Sequence, residues 1–229
     1  MDIVVAVGSE SVDFMSHITP CLHSNRIFMY VSSGNGQYRS LTKHSGKGYL
    51  KLWLQEHKDN IYVSEIANTW SGTEASAFSL HIAMHYYDMA PKTIFLHAHD
   101  GSWHSDKVCD IVRKARAVSA ETTFLNLNRP FPLRCLSPSN VVGVAVSSNV
   151  RDFYYANWRK WTNSSPPKRI VFECCAQFLA SKYAIQKRPL YVWTNILRAI
   201  VHDRIGNNWE YLWPTLIDQD KSSQSSNCR

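Results

Sequence analysis

Residues 93–104 read TIFLHAHDGSWH, and this stretch indicates both the fold class and the place where chemistry is expected. The apolar run that opens it is typical of a strand buried on both faces of a sheet. The polar run that follows brings together, within eight residues, His97, His99, Asp100 and His104. Imidazoles and a carboxylate this close can ligate a divalent metal, so the sequence predicts a functional site at the carboxyl end of this strand.

Predicted strands and helices alternate along the rest of the chain. The strands cover residues 3–7, 26–31, 60–63, 93–97, 141–146 and 170–172, and the helices cover residues 73–90, 107–120, 151–161, 181–186 and 191–203. This alternation predicts an α/β fold with a mostly parallel central sheet flanked by helices. We expect a single domain over residues 1–220, followed by a disordered polar tail over residues 221–229.

The composition is that of a globular chain. Of the 229 residues, 45% are hydrophobic and 19% are charged, which excludes wholesale disorder. No stretch approaches the roughly 18–20 apolar residues that cross a bilayer. The first residues carry an acid and no base, so a signal peptide is not predicted. We therefore expect a soluble, cytoplasmic protein.

Charge and aromatic content favour ligands that are anionic or flat. The chain has 25 Lys and Arg against 18 Asp and Glu, a net charge of +7, which suits a nucleotide without requiring one. It also has 8 Trp and 11 Tyr. Such an excess indicates either an aromatic-rich core or a surface that stacks on a base or a sugar.

The six cysteines do not form a recognisable site. None of them forms a Cys-x-x-Cys pair, so neither a structural zinc site nor a thioredoxin-type motif is predicted. Adjacent Cys174 and Cys175 cannot easily bridge each other. We expect reduced, mostly buried thiols.

Several short motifs occur in an order that is more specific than any one of them. They are Val4-Val5-Ala6-x-x-x-Glu10, Gly72-x-Glu74-Ala75, the helix end 85–88 (HYYD), the strand 93–99, Trp103-His104, the block 174–178 (CCAQF) and the block 209–213 (WEYLW). Across residues 3–216 this order resembles a domain-of-unknown-function family of fungi and large algal viruses. The chain departs from that family at Val7, where Arg is usual, and at Thr73, where Arg or Lys is usual.

That family resembles the nucleotide-diphosphosugar transferases of the glycosyltransferase A fold. The resemblance implies a nucleotide-sugar donor, with Val7, Glu10, Glu74 and His104 on the donor side. Residues 97–100 stand where those transferases carry an Asp-x-Asp turn. The implied metal ligands, for Mn or Mg, are therefore Asp100, His99 and His97.

The acceptor side follows from the same resemblance. It implies a glycan or another hydroxyl acceptor, with acceptor-binding residues Trp103, Gln177 and Trp209. Because an inverting transfer needs a carboxylate to deprotonate the acceptor, the candidate catalytic bases are Glu210 and Glu173, with Glu210 preferred.

Two alternatives to the transferase remain at this point. A metal-dependent hydrolase could use the same cluster of His97, His99, Asp100 and His104. A nucleic-acid-binding module could use the basic residues of 39–51 and the interleaved aromatic and basic residues of 153–161. The modest net charge and the lack of a known module motif argue against nucleic acid as the partner.

Overall fold

The structure is a computed structural model that describes residues 1–7, 21, 25–32, 60–66, 73–102, 104–129, 134–136, 141–142, 148–168, 170–172, 175–203, 209 and 212–217. The strands are β1 (Asp2–Val7), β2 (Arg26–Ser32), β3 (Ile61–Ile66), β4 (Lys92–His97), β5 (Phe124–Asn126), β6 (Arg134–Leu136), β7 (Val141–Val142), β8 (Ile170–Phe172) and β9 (Phe178–Ser181). The helices are α1 (Thr73–Met84), α2 (Val108–Arg116), α3 (Ser148–Thr162), α4 (Lys182–Gln186), α5 (Leu190–Asp203) and α6 (Trp213–Ile217).

A six-stranded sheet with the order β3-β2-β1-β4-β9-β5 forms the centre of the fold. Strands β3, β2, β1 and β4 are parallel neighbours, whereas β9 runs antiparallel to both β4 and β5. The predicted α/β domain with a central sheet flanked by helices is confirmed, and the sheet is mixed because of β9. Strands β7, β6 and β8 form a second, antiparallel sheet.

Both faces of β1 are buried, which explains why this strand reads as an uninterrupted apolar run. On one face, Val4, Ala6 and Phe95 belong to a core built with the helices α1, α3, α5 and α6. On the other face, alternate residues such as Ile3 and Val5 pack with α2. Successive side chains of a strand point to opposite faces, so β1 contributes side chains to both cores.

Strand β9 was not predicted, although all four of its residues are buried. Its sequence FLAS contains Ala and Ser, which have little intrinsic preference for strands. Pairing with β4 and stacking of the Phe178 ring on Phe95 at 4.7 Å and on Phe124 at 5.5 Å hold it in the sheet. Tertiary contacts, rather than local sequence, therefore select this strand.

Helix α1 ends at Met84, earlier than the predicted residue 90. Burial nevertheless continues beyond the helix, since Tyr86 and Met89 are buried in the turns that follow. The hydroxyl of Tyr86 donates to the carbonyl of Arg188 at 2.8 Å. Residues 85–90 therefore pack against the core without continuing the helix.

The aromatic segment 153–161 lies in α3. The side chains of Tyr154, Trp158 and Trp161 are at most 2% exposed and belong to the core. These rings are therefore not available to stack on bases. The basic segment 39–51 and the predicted tail 221–229 lie outside the described residues.

Among the described residues, no helix has the length and apolar character that crossing a bilayer would require.

The prediction of reduced thiols is wrong, because Cys21 and Cys109 form a disulfide with their Cα atoms 5.3 Å apart. Cys175 is disulfide-bonded as well. The two paired cysteines are 88 residues apart in the chain, a pairing that spacing could not reveal.

Replacing both Cys21 and Cys109 by Ser should lower the free energy of unfolding by roughly 2–5 kcal/mol, because the unfolded chain regains the freedom that the cross-link removes. Urea unfolding of the double variant and of the wild type, both without reductant, measures this difference. Peptide mapping under non-reducing conditions should recover the linked Cys21 and Cys109 peptides. Complete alkylation of both thiols in the native, non-reduced protein would contradict the pairing.

Candidate functional site

The order of the parallel strands marks one place on the sheet where ligands are expected. From β1 the chain builds outward to β2 and β3, and then returns to place β4 on the other side of β1. Ligands of open α/β sheets bind beyond the carboxyl ends of the strands at such a reversal. Here Ala6 of β1 lies opposite His97 of β4, and the amide of Ala98 donates to the carbonyl of Ala6 at 3.1 Å.

Three histidine side chains converge at this point. The ring centroids lie 5.3 Å apart for His97 and His99, 6.0 Å for His97 and His104, and 5.4 Å for His99 and His104. Each ring offers one nitrogen, and these nitrogens all lie within 4.8 Å of one another. All three side chains are half-buried. The three imidazoles, the histidine cluster, could therefore hold a metal ion.

The end of β4 explains the position of the first two rings. Ala98 is 1% exposed and belongs to the core that includes α2, so the alternation of an extended chain puts His97 and His99 on the same side. The backbone amide of His97 also donates to Oε1 of Gln177 at 3.4 Å, which ties this end of β4 to the start of β9.

A tight turn brings the third ring back to the cluster. Gly101 has a φ of +86°, a backbone conformation that residues with a Cβ rarely adopt. The backbone groups of Ser102 and Ser105 then bond each other at 3.1 and 3.3 Å. The hydroxyl Oγ of Ser102 lies 3.1 Å from Nδ1 of His104. This turn therefore sets the direction of the His104 ring.

A carboxylate from another element faces the cluster. Glu74 lies in the first turn of α1, and its Oε1 is 3.9 Å from Nε2 of His97. Burial raises the pKa of Glu74, while its own backbone hydrogen bond and the charges of His99 and His104 lower it. The site thus combines imidazoles from the β4 region with one carboxylate from α1.

The His104 ring is suited to ligate a metal as a neutral base. Burial, reinforced by repulsion from His99, lowers the pKa of His104, and Glu74 acts in the opposite direction. Metal ions bind the neutral imidazole, so this environment favours the form that can act as a ligand.

Asp100 is engaged at a different place. Its Oδ1 accepts a hydrogen bond from the amide of Val108 at 3.0 Å. Val108 is the first residue of α2, where backbone amides have no partner within the helix. Among the described residues, the group of converging ligand atoms contains the three histidines and neither Asp100 nor Glu74. A ligand role for Asp100 stays a prediction from the sequence.

Gln177 contacts the histidine cluster through the backbone of His97. It is 1% exposed, and its Nε2 donates to Oδ1 of Asn128 at 3.1 Å. The side chain of Asn128 donates in turn to the carbonyl of Gln177 at 3.2 Å. Immediately before Gln177, Cys175 and Ala176 have positive φ angles of 78° and 25°. A residue held in this way positions the backbone of His97, and its predicted contact with an acceptor stays a prediction.

The remaining predicted residues fall into two groups. Val7 is buried at the carboxyl end of β1, and Trp209 is fully buried with its ring 4.5 Å from that of Trp161. The others lie outside the described residues: Glu10, Trp103, Glu173 and Glu210.

Sequence reasoning missed the supporting residues Ser102 and Asn128. Ser102 lies inside the polar run and could have been named as a partner for His104. Asn128 is 49 residues from Gln177, and no local pattern connects them.

The variant Asp100→Ala should lower the free energy of unfolding by about 1 kcal/mol, because the amide of Val108 loses its acceptor. Asp100→Asn keeps an acceptor oxygen and should recover most of that loss. Urea denaturation compares both with Asp106→Ala, which removes only a surface ion pair to Arg129. An Asp100→Ala protein as stable as the wild type would show that the carboxylate does not cap α2.

Comparison with known proteins identifies the family but no better-known relative. A family model described as a protein of unknown function, DUF3431, matches residues 42–229. No curated protein and no solved structure matches the chain significantly. The matched region covers most of the chain, and the chain therefore belongs to the DUF3431 family.

Proposed function

We propose that this protein is a metal-assisted glycosyltransferase that moves a sugar from a nucleotide-sugar donor to a glycan or another hydroxyl acceptor. The observation that carries the proposal is the location of the histidine cluster. It lies where the order β3-β2-β1-β4 reverses, between the ends of β1 and β4. This strand order is that of a mononucleotide-binding half of a doubly wound fold, in which phosphates bind at the carboxyl edge.

The cluster gives such a donor a place for its diphosphate. A divalent metal, when bound, would neutralise charge on the diphosphate and on the leaving nucleotide. His97, His99, His104 and Glu74 would hold that metal, and the nucleotide would extend over the carboxyl end of β1 beside Val7. Glu10 stays a proposed donor-side residue from the sequence. The resemblance to the glycosyltransferase A fold supports the same arrangement.

The acceptor side of the proposal rests on residues that lie outside the described part of the chain. Glu210 and Glu173 remain the proposed bases for the acceptor hydroxyl, with Trp103 as the proposed stacking residue. Gln177 serves the backbone of His97, and Trp209 packs in the core.

One observation favours a second candidate, a metal-dependent hydrolase. Three imidazoles with an open position are the ligand set of catalytic zinc centres that activate water. In that case Glu74, which lies beside His97, would be the candidate general base. A hydrolase needs no nucleotide, so nucleotide binding separates the two candidates.

Calorimetric titration with UDP, GDP and their sugar conjugates, with and without a divalent metal, should show binding that requires the metal. Replacing His99 by Ala should weaken it by more than about tenfold, since a ligand is lost. His202→Ala is the matched control, because His202 is exposed in the last turn of α5. If neither nucleotide nor conjugate binds under either condition, the transferase proposal fails.

A further inference from the structure

We infer that the histidine cluster and Glu74 form one mononuclear centre for an imidazole-preferring cation of the zinc class, with three nitrogen ligands and one carboxylate ligand. This inference deepens the proposed function, and only the binding of a diphosphate to the metal as a fifth ligand rests on it. It differs from the predicted Mn or Mg site, whose ligands are Asp100, His99 and His97.

The distances fit a single ion. Ligand nitrogens that lie about 2.0–2.1 Å from zinc are separated from one another by about 3.4 Å in a tetrahedral site. The corresponding nitrogens here lie within 4.8 Å of one another, and Oε1 of Glu74 lies 3.9 Å from Nε2 of His97. Small rotations of the half-buried rings would close the remaining gap.

The His99 ring supplies an independent reason for an ion. Its Nδ1 is buried and has no hydrogen-bond partner among the described residues. A buried polar atom without a partner is destabilising. Because His97 and His104 each place a ring nitrogen within 4.8 Å of a nitrogen of His99, a metal ion is a partner that all three rings could share.

A hydrogen bond at one ring nitrogen of His104 leaves the other nitrogen, Nε2, to ligate the metal. Nδ1 of His104 lies 3.1 Å from Oγ of Ser102, and Oγ of Ser102 lies 3.1 Å from Oγ of Ser105. Metal-bound histidines commonly donate the second ring N–H to such an oxygen, which orients the ring. Nε2 of His104 is then the atom that faces the metal.

The donor set selects the class of metal. Imidazole nitrogens suit Zn, Cu, Fe and Ni, whereas carboxylate, carbonyl and water oxygens suit Mg, Ca and Mn. Mg²⁺ prefers six oxygens in a nearly ideal octahedron, whereas this cluster offers three imidazoles, with the Glu74 carboxylate 3.9 Å from His97. Asp100 acts through the turn: its bond to the amide of Val108 holds the segment between His99 and α2.

The test is direct metal binding to the chelator-treated full chain, by calorimetry with Zn²⁺ and Mg²⁺ and by visible absorption with Co²⁺ as a spectroscopic substitute for zinc. One Zn²⁺ per chain should bind at least about 100-fold more tightly than Mg²⁺. His99→Ala and His104→Ala should each weaken Zn²⁺ binding by more than about 100-fold, and Glu74→Gln by about tenfold or more.

Three further variants separate ligand loss from a loss of fold. Ser102→Ala keeps every ligand and should weaken binding by about tenfold through the freed His104 ring. Asp100→Asn and the exposed control His202→Ala should bind Zn²⁺ like the wild type, with unchanged circular dichroism. Unaltered binding in both His99→Ala and His104→Ala, or a loss confined to Asp100→Asn, would overturn the inference.

The outcome is independent of the transferase proposal. Zinc binding that follows this pattern without any nucleotide binding would support the metal centre and refute the proposed transferase function. Nucleotide binding that needs no metal, in a protein that binds no zinc, would refute the proposed metal centre.

Discussion

The parallel pairing of β1 with β4 is the contact on which the rest of the molecule depends. It sets Ala6 opposite His97, and it places β4 on the side of β1 away from β2, so the sheet reverses its order at that line. Both strands are buried on both faces, which fixes their register because a shift by one residue would exchange the two cores. A fixed register delivers His97 and His99 to the same edge in a defined orientation.

The two ends of this strand pair differ in how their polar groups are arranged. At the amino edge, the carboxylate of Asp2 is 1% exposed and accepts two hydrogen bonds from Arg26 at 2.8 Å and one from the amide of Ala90 at 2.8 Å. Its hydrogen bond also raises the pKa of Arg26. A buried charge with all of these partners is stable and holds the strands together. At the carboxyl edge, the polar groups instead converge on a shared space, which is the arrangement of a binding site.

The sequence was informative where burial is continuous along the chain. The strands β1, β2 and β4, the start of α1 and the concentration of histidines after β4 all follow from local apolar runs and a polar cluster. It was uninformative where partners are distant: β9 depends on pairing with β4, the Cys21–Cys109 bond spans 88 residues, and Gln177 bonds Asn128 across 49 residues. Proximity in sequence also could not separate the carboxylate of Asp100, which bonds α2, from that of Glu74, which faces the cluster.

The central claim is that three imidazoles and one carboxylate at the reversal of the sheet hold one metal ion. Anomalous diffraction at the zinc absorption edge, from crystals of the full chain grown with Zn²⁺, locates the ion without reference to any activity. The account predicts a single strong peak about 2.0–2.2 Å from a nitrogen of His97, His99 and His104 and from a carboxylate oxygen of Glu74. A peak bound through Asp100 without these imidazoles, or no ordered zinc at this edge, would contradict it.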